Sequence, residues 1–126
     1  MKQKLLIIRG LPGSGKSTLG QKLAPGQVYE ADQFRYNDKG EYIFDPSKNG
    51  EAHEKCFNAT KQALLSGELV VAVCNTFIKR WEYMKYVNLA KELGVEYEII
   101  VCTGKWNNIH GVDEETIARM KKNWEK

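Results

Sequence analysis

Apolar positions along the chain follow two periods. Leu5-Leu6-Ile7-Ile8 and Leu69-Val70-Val71-Ala72-Val73-Cys74 are unbroken runs, as in strands covered on both faces of a parallel sheet. Val28-Tyr29-Glu30, ending at Asp32, and Glu96 to Cys102 supply two more strands. Between these runs the spacing is helical. Ser17 to Ala24 reads as a helix stopped by Pro25-Gly26, and a second enters at Asp45-Pro46-Ser47 and runs through Cys56, Phe57, Thr60, Ala63 and Leu64 to Gly67. A third spans Lys79 to Leu93, with Tyr83, Tyr86, Val87, Ala90 and Leu93 at helical spacing before Gly94. Asp113 is placed to cap a last amphipathic helix through Ile117, Met120 and Trp124. Arg35-Tyr36 and Tyr42-Ile43-Phe44 flank the turn Asn37-Asp38-Lys39-Gly40, a small hairpin or ordered loop, and residues 103 to 112 form a polar loop.

Strands alternating with helices imply right-handed βαβ crossovers and a mostly parallel sheet, hence a three-layer α/β fold. A length of 126 residues gives room for one domain, residues 1 to 126, with a single core. The longest apolar run is far too short to span a bilayer, so no membrane contact is expected. Lys2 and Lys4 lead into a strand and glycine loop and not into a signal peptide, so a cytoplasmic protein is expected. Cys56, Cys74 and Cys102 form no C-x-x-C pair and read as free thiols. A formal charge of +3 permits a polyanionic partner without arguing for one.

The turn between the first strand and the first helix carries the chemistry. Gly10-Leu11-Pro12-Gly13-Ser14-Gly15-Lys16-Ser17 satisfies G-x-x-x-x-G-K-[ST] without a mismatch and lies between strand and helix as that motif requires. Glycines let successive N–H groups turn inward on phosphate oxygens, and the helix N-terminus adds the positive end of its dipole. Gly13, Ser14, Gly15, Lys16, Ser17 and Thr18 are therefore expected to bind nucleotide. Lys16 would reach the β- and γ-phosphates and Ser17 would ligate Mg²⁺. No guanine-specifying motif is present, so ATP with Mg²⁺ is the expected cofactor.

A phosphate-binding loop does not identify an acceptor. Asp32 follows the second strand, and ligands of open parallel sheets sit beyond the carboxyl ends of the strands, where a carboxylate can take the proton of an attacking hydroxyl. Arg35 could hold an anionic group of the acceptor; the alternative is a turn cap and a solvated charge.

The loop, Asp32-Gln33-Phe34-Arg35, and the run Val70 to Thr76 followed by a helix ending Ala90-Lys91-Glu92-Leu93-Gly94 resemble the kinase domain of phage polynucleotide 5′-hydroxyl kinase. "YIFDPSKNGEAHEKC", "NTFIKRWEY" and "NIHGVDEETIARM" resemble the AAA-type kinase-like domains related to NEDD4-binding protein 2. The resemblance covers most of the chain. It implies a P-loop NTPase fold of minimal kinase type, with Asp32 as general base and Arg35 on substrate phosphate. The acceptor it implies is a nucleic-acid 5′-hydroxyl or a nucleotide. The alternatives are a nucleoside or small-molecule kinase and an ATP-binding sensor with little turnover. Two departures favour the sensor. Asn75 stands where the phage pattern has an aspartate, and the lid loop offers Lys105, Asn107, Asn108 and His110 in place of arginines, with Arg119 further along. His53 reads as a surface residue, His110 as a loop or phosphate-contacting group, and Trp81, Tyr83 and Tyr86 as packing residues.

Overall fold

The computed structural model describes residues 2–103 and 114–126. In chain order the elements are β1 (Lys4–Gly10), α1 (Lys16–Leu23), β2 (Val28–Tyr29), α2 (Asn49–Leu65), β3 (Val70–Asn75), α3 (Arg80–Leu93), β4 (Glu96–Cys102) and α4 (Glu114–Lys122). Short 3₁₀ turns at Ala31–Phe34 and Pro46–Lys48 lie between β2 and α2. The sheet order is β2-β3-β1-β4, with every pairing parallel. The α/β, three-layer architecture expected from the strand and helix periods is the one observed.

The two unbroken apolar runs lie side by side at the centre, Leu5 opposite Val71 and Ile7 opposite Val73. Their alternate residues feed two separate cores. Leu5, Ile7, Val71 and Val73 pack beneath α2 and α3 with Cys56, Leu64, Phe77, Tyr86 and Val87. Leu6, Ile8, Ala72 and Cys74 pack with Ala24, Val28 and Leu19 on the α1 side. Leu5 and Ile7 have no exposed surface, and truncating either to Ala would cost about 2–5 kcal/mol. The edge strand β4 is less covered: Tyr97, Ile99 and Val101, in register with Leu5, Ile7 and Arg9, remain partly exposed.

Local chemistry sets the element ends. The Asp45 side chain accepts from the Ser47 backbone N–H at 3.0 Å, closing a 3₁₀ turn, so the α-helix starts at Asn49 and not at the proline. The Tyr36–Tyr42 bridge makes the short hairpin around Asn37–Gly40. α4 has Glu114 and Glu115 in its first turn and Arg119, Lys121 and Lys122 in its last, matching the helix dipole, and it ends before Trp124. The cap expected at Asp113, and the loop with Lys105 and His110, lie outside the described residues.

Candidate active site

The site is assembled at the carboxyl ends of β1, β2 and β3. Gly13 and Gly15 have φ of 79° and 92°, the left-handed conformation that points consecutive N–H groups to one side, and α1 begins directly after them. Gly10 is needed for close approach: a Cβ there would meet the Cys102 carbonyl at 2.9 Å and collide with Ser14 Oγ. Ser14 Oγ is itself buried without a hydrogen-bond partner, so this residue serves the loop through its backbone, whose N–H donates to the Leu11 carbonyl at 3.1 Å. Lys16 reaches back over the loop and donates to the Leu11 carbonyl at 3.1 Å. Burial pulls its pKa below the usual lysine value, and Glu30 is the strongest of the charges opposing that shift. A recess of about 380 Å³ opens beside the loop between Ser14, Thr18, Lys22, Val101 and Thr103.

Asp32 stands in the 3₁₀ turn after β2, half-exposed, and its charge is felt at Lys16. Arg35 Nε lies 2.8 Å from Asp32 Oδ1, and Tyr42 donates its hydroxyl to the same oxygen at 3.0 Å. Burial first, and then Asp32, push the Tyr42 hydroxyl up to about 12, so it stays protonated and donating at neutral pH. Arg35 also donates to Asn49 Oδ1 at 2.8 Å and lies under the Phe44 ring, 4.9 Å from its centroid. Its side chain is only 8% exposed, so it is no solvated charge. Beyond Arg35 a second recess of about 300 Å³ is lined by Tyr36, Asp38, Asp45, Lys48, Glu51 and Lys55 among others.

Four residues that no motif marks complete the arrangement: Glu30, Tyr42, Asn49 and Arg9. Ser17 Oγ donates a short hydrogen bond to the Glu30 carboxylate, joining the first turn of α1 to the end of β2. Arg9 is buried between the rings of Tyr83 and Trp124, 5.0 and 4.2 Å from their centroids, and donates to the carbonyls of Phe77, Ile78 and Glu125. It thereby ties the strand entering the loop to the chain after α4. The two donations to Phe77 also hold a non-glycine residue at φ 49°.

Three expectations change in the structure. Asn75 is not turned toward the loop: its Oδ1 accepts the Ala31 N–H at 2.9 Å and its amide donates toward Cys56 Sγ, so it fastens the turn that carries Asp32. His53 is half-buried one helical turn after Asn49, with Arg35, Lys85 and Asp32 close enough to act on it. Trp81 is 76% exposed, whereas Tyr83 and Tyr86 are buried as expected.

The donor set suits a hard cation. A serine hydroxyl and a carboxylate are oxygen ligands of the kind Mg²⁺ takes together with substrate phosphates, and among the described residues no group of three or more His, Cys, Asp and Glu side chains forms a separate metal centre. Among the described residues no helix is long and apolar enough to cross a membrane.

These features, a glycine loop between β1 and α1 and a carboxylate past β2, define a P-loop NTPase of the kinase-like kind. A family model described as an AAA domain matches residues 5–114, and the chain belongs to that family. It is 33% identical over 137 residues to human (Homo sapiens) NEDD4-binding protein 2, an alignment taking in 97% of this chain and 8% of that much longer protein. Among solved structures, the Pnkp1/Rnl/Hen1 complex superposes with a TM-score of 0.63 at 21% identity, over 94% of this chain and 38% of that one. The Mycobacterium tuberculosis APS kinase CysC in complex with AMPPNP and APS gives 0.57 at 18% identity, over 81% of this chain and 63% of that one. At these identities the structural likenesses define the fold.

Proposed function

We propose that the protein is an ATP-dependent phosphotransferase that moves the γ-phosphate of Mg-ATP to a hydroxyl, and that this hydroxyl is the 5′-hydroxyl of a nucleic acid. The observation that carries the reading is the Asp32 carboxylate, pinned at Oδ1 by Arg35 and Tyr42 and set at the strand ends beside the loop. In this reading Gly13 to Thr18 hold the phosphates, and Lys16 neutralises charge on the β- and γ-oxygens. The nucleoside would occupy the recess by Thr18 and Val101. Asp32 takes the acceptor proton while the acceptor oxygen bonds to the γ-phosphorus and the bond to the β-bridging oxygen breaks, releasing ADP. Mg²⁺ would supply further charge neutralisation when bound with the nucleotide.

Arg35 favours an acceptor that already bears phosphate. It touches the base on one side and lines the second recess on the other, so an anion entering that recess would meet the guanidinium one residue away from the reacting hydroxyl. The small-molecule kinase remains the rival reading for a specific reason. Arg35, Lys48 and Lys55 in the second recess are matched by Asp38, Asp45 and Glu51, which is a poor track for a long polyanion. The sensor reading loses one of its two supports, because Asn75 has a positioning task in the turn.

An acceptor screen with γ-labelled ATP tests the proposal: nucleoside, nucleoside 3′-phosphate, and oligonucleotide with a 5′-hydroxyl. Labelling of the oligonucleotide and the 3′-phosphate well above the nucleoside is expected. Equal kcat/KM for nucleoside and 3′-phosphate would transfer the assignment to the small-molecule kinase.

A further inference from the structure

We propose that Glu30 is the charge that anchors the divalent cation of the bound nucleotide, acting as a pair with Ser17. The inference rests on the loop's reading as a triphosphate site, and extends it to a residue that belongs to no motif in the chain.

The contact itself is the starting point. Glu30 follows β2 and Ser17 opens α1, thirteen residues earlier, yet the Ser17 hydroxyl donates to the Glu30 carboxylate. A hydroxyl whose hydrogen is committed in this way keeps its oxygen lone pairs for a cation, as in other sites where an outer carboxylate orients the ligand. α1 has no acidic residue in its own first turn, so the carboxylate at this helix start is brought in from the sheet.

Electrostatics make that placement informative. The N-terminus of α1 and the glycine loop favour anions, and a triphosphate brings several negative charges to the same spot. A carboxylate bonded to the second residue of the helix opposes such a ligand unless a cation lies between them. The pull of Glu30 on Lys16 shows that its charge reaches the phosphate-facing side chain. The other position expected to serve the metal, Asn75, is uncharged, and both ends of its side chain are engaged elsewhere. Among the described residues no separate cluster of metal-ligating side chains exists, so a cation here would complete its shell with phosphate oxygens and water, which is the habit of Mg²⁺.

The alternative is that Glu30 only caps the start of α1. Glu30→Gln separates the two, since the amide oxygen can still accept from Ser17 while the charge is gone. ATP affinity is measured calorimetrically for parent, Glu30→Gln and Glu30→Asp, in EDTA and in Mg²⁺, with Mn²⁺ binding in the presence of ATP followed by water-proton relaxation. In EDTA the Gln variant is expected to bind ATP more tightly than the parent, by about threefold or more, because a repulsive charge has been removed. In Mg²⁺ the order reverses. The enhancement by Mg²⁺, about tenfold or more in the parent, shrinks to less than about threefold in the Gln variant, and its Mn²⁺ relaxation signal falls. Glu30→Asp, which keeps the charge, retains part of the enhancement. A Gln variant of parental thermal stability with the full Mg²⁺ enhancement and an unchanged Mn²⁺ signal overturns the inference and leaves Glu30 a cap. A parent that binds no ATP in either buffer overturns the phosphotransferase reading and this inference together. No acceptor enters the measurement, so its result is independent of which hydroxyl is phosphorylated.

Discussion

Arg35 grips Asp32: Nε lies 2.8 Å from Oδ1, with the arginine side chain 8% exposed and the aspartate side chain 38% exposed. The exposed partner is the one available to an acceptor, and the buried one sets its orientation. Asp32→Asn should therefore leave ATP binding intact and lower phosphoryl transfer by roughly 10²–10⁴-fold, the usual worth of a positioned base. Parental transfer rates in a folded Asn variant would show that Asp32 serves only to neutralise Arg35.

Arg35 is expected to act twice, on Asp32 and on the acceptor. Arg35→Lys cannot bridge Asp32 and Asn49 with one planar fork, so kcat falls for every acceptor. Arg35→Ala should in addition abolish the preference for a nucleoside 3′-phosphate over the nucleoside. Steady-state kinetics with the two acceptors measures both effects, and a preference that survives in the Ala variant places the acceptor anion elsewhere.

The loop depends on one side chain and one missing side chain. Lys16→Ala removes a charge-assisted contact worth about 1.5–3 kcal/mol, so ATP affinity should fall by about 10–100-fold with the fold unchanged. Gly10→Ala should weaken binding by another route, because its Cβ collides with the Cys102 carbonyl and Ser14 Oγ and the loop must shift. Calorimetric titration with ATP, together with circular dichroism to confirm folding, checks the pair.

Arg9 and Trp124 make a clamp with a graded expectation. Trp124→Ala loses the cation–π contact and some cover, a loss of about 1–2 kcal/mol. Arg9→Met strands three backbone carbonyls and releases the strained Phe77, and should be costlier, about 3 kcal/mol or more. Urea unfolding of both variants tests the order; equal losses would mean that the aromatic stacking, and not the hydrogen bonding, carries the clamp.

What could be read from the sequence was what depends on neighbours in the chain. The unbroken runs at Leu5–Ile8 and Leu69–Cys74 gave the central strands because burial on both faces leaves no polar alternation. The loop was visible because its glycines and Lys16 work through adjacent backbone. Glu30 was not, since its meaning comes from Ser17 across a strand–helix crossover, although a carboxylate two residues before Asp32 at the same strand end was an available signal. Trp124 fitted a helical period and was assigned to the last helix, but α4 stops at Lys122 and the ring turns onto Arg9, a partner 115 positions earlier. Asn75 showed as a substitution, while its bond to Ala31 N–H needed the geometry of the turn.

His53 provides a pH-dependent test of the packing around Arg35. It is half-buried on α2, and its pKa is pulled below the usual 6.5, first by burial and then by the Arg35 and Lys85 cations, with Asp32 opposing in part. The folded protein thus binds this proton less readily than the unfolded chain. By linkage the contribution of His53 to stability is fully present above about pH 6.5 and is lost as pH falls through the lower folded value. Thermal unfolding between pH 8 and pH 5 should show the parent losing Tm more steeply than His53→Gln below pH 6.5, by a difference of about 2 °C or more. The Gln side chain keeps polar character at the site without titrating, so carboxylates and His110 contribute equally to both curves and cancel in the comparison. Curves that stay parallel throughout the range would mean that His53 exchanges its proton as a solvated residue does, and that the cations beside it are screened by water and leave no electrostatic imprint on the helix face behind Arg35.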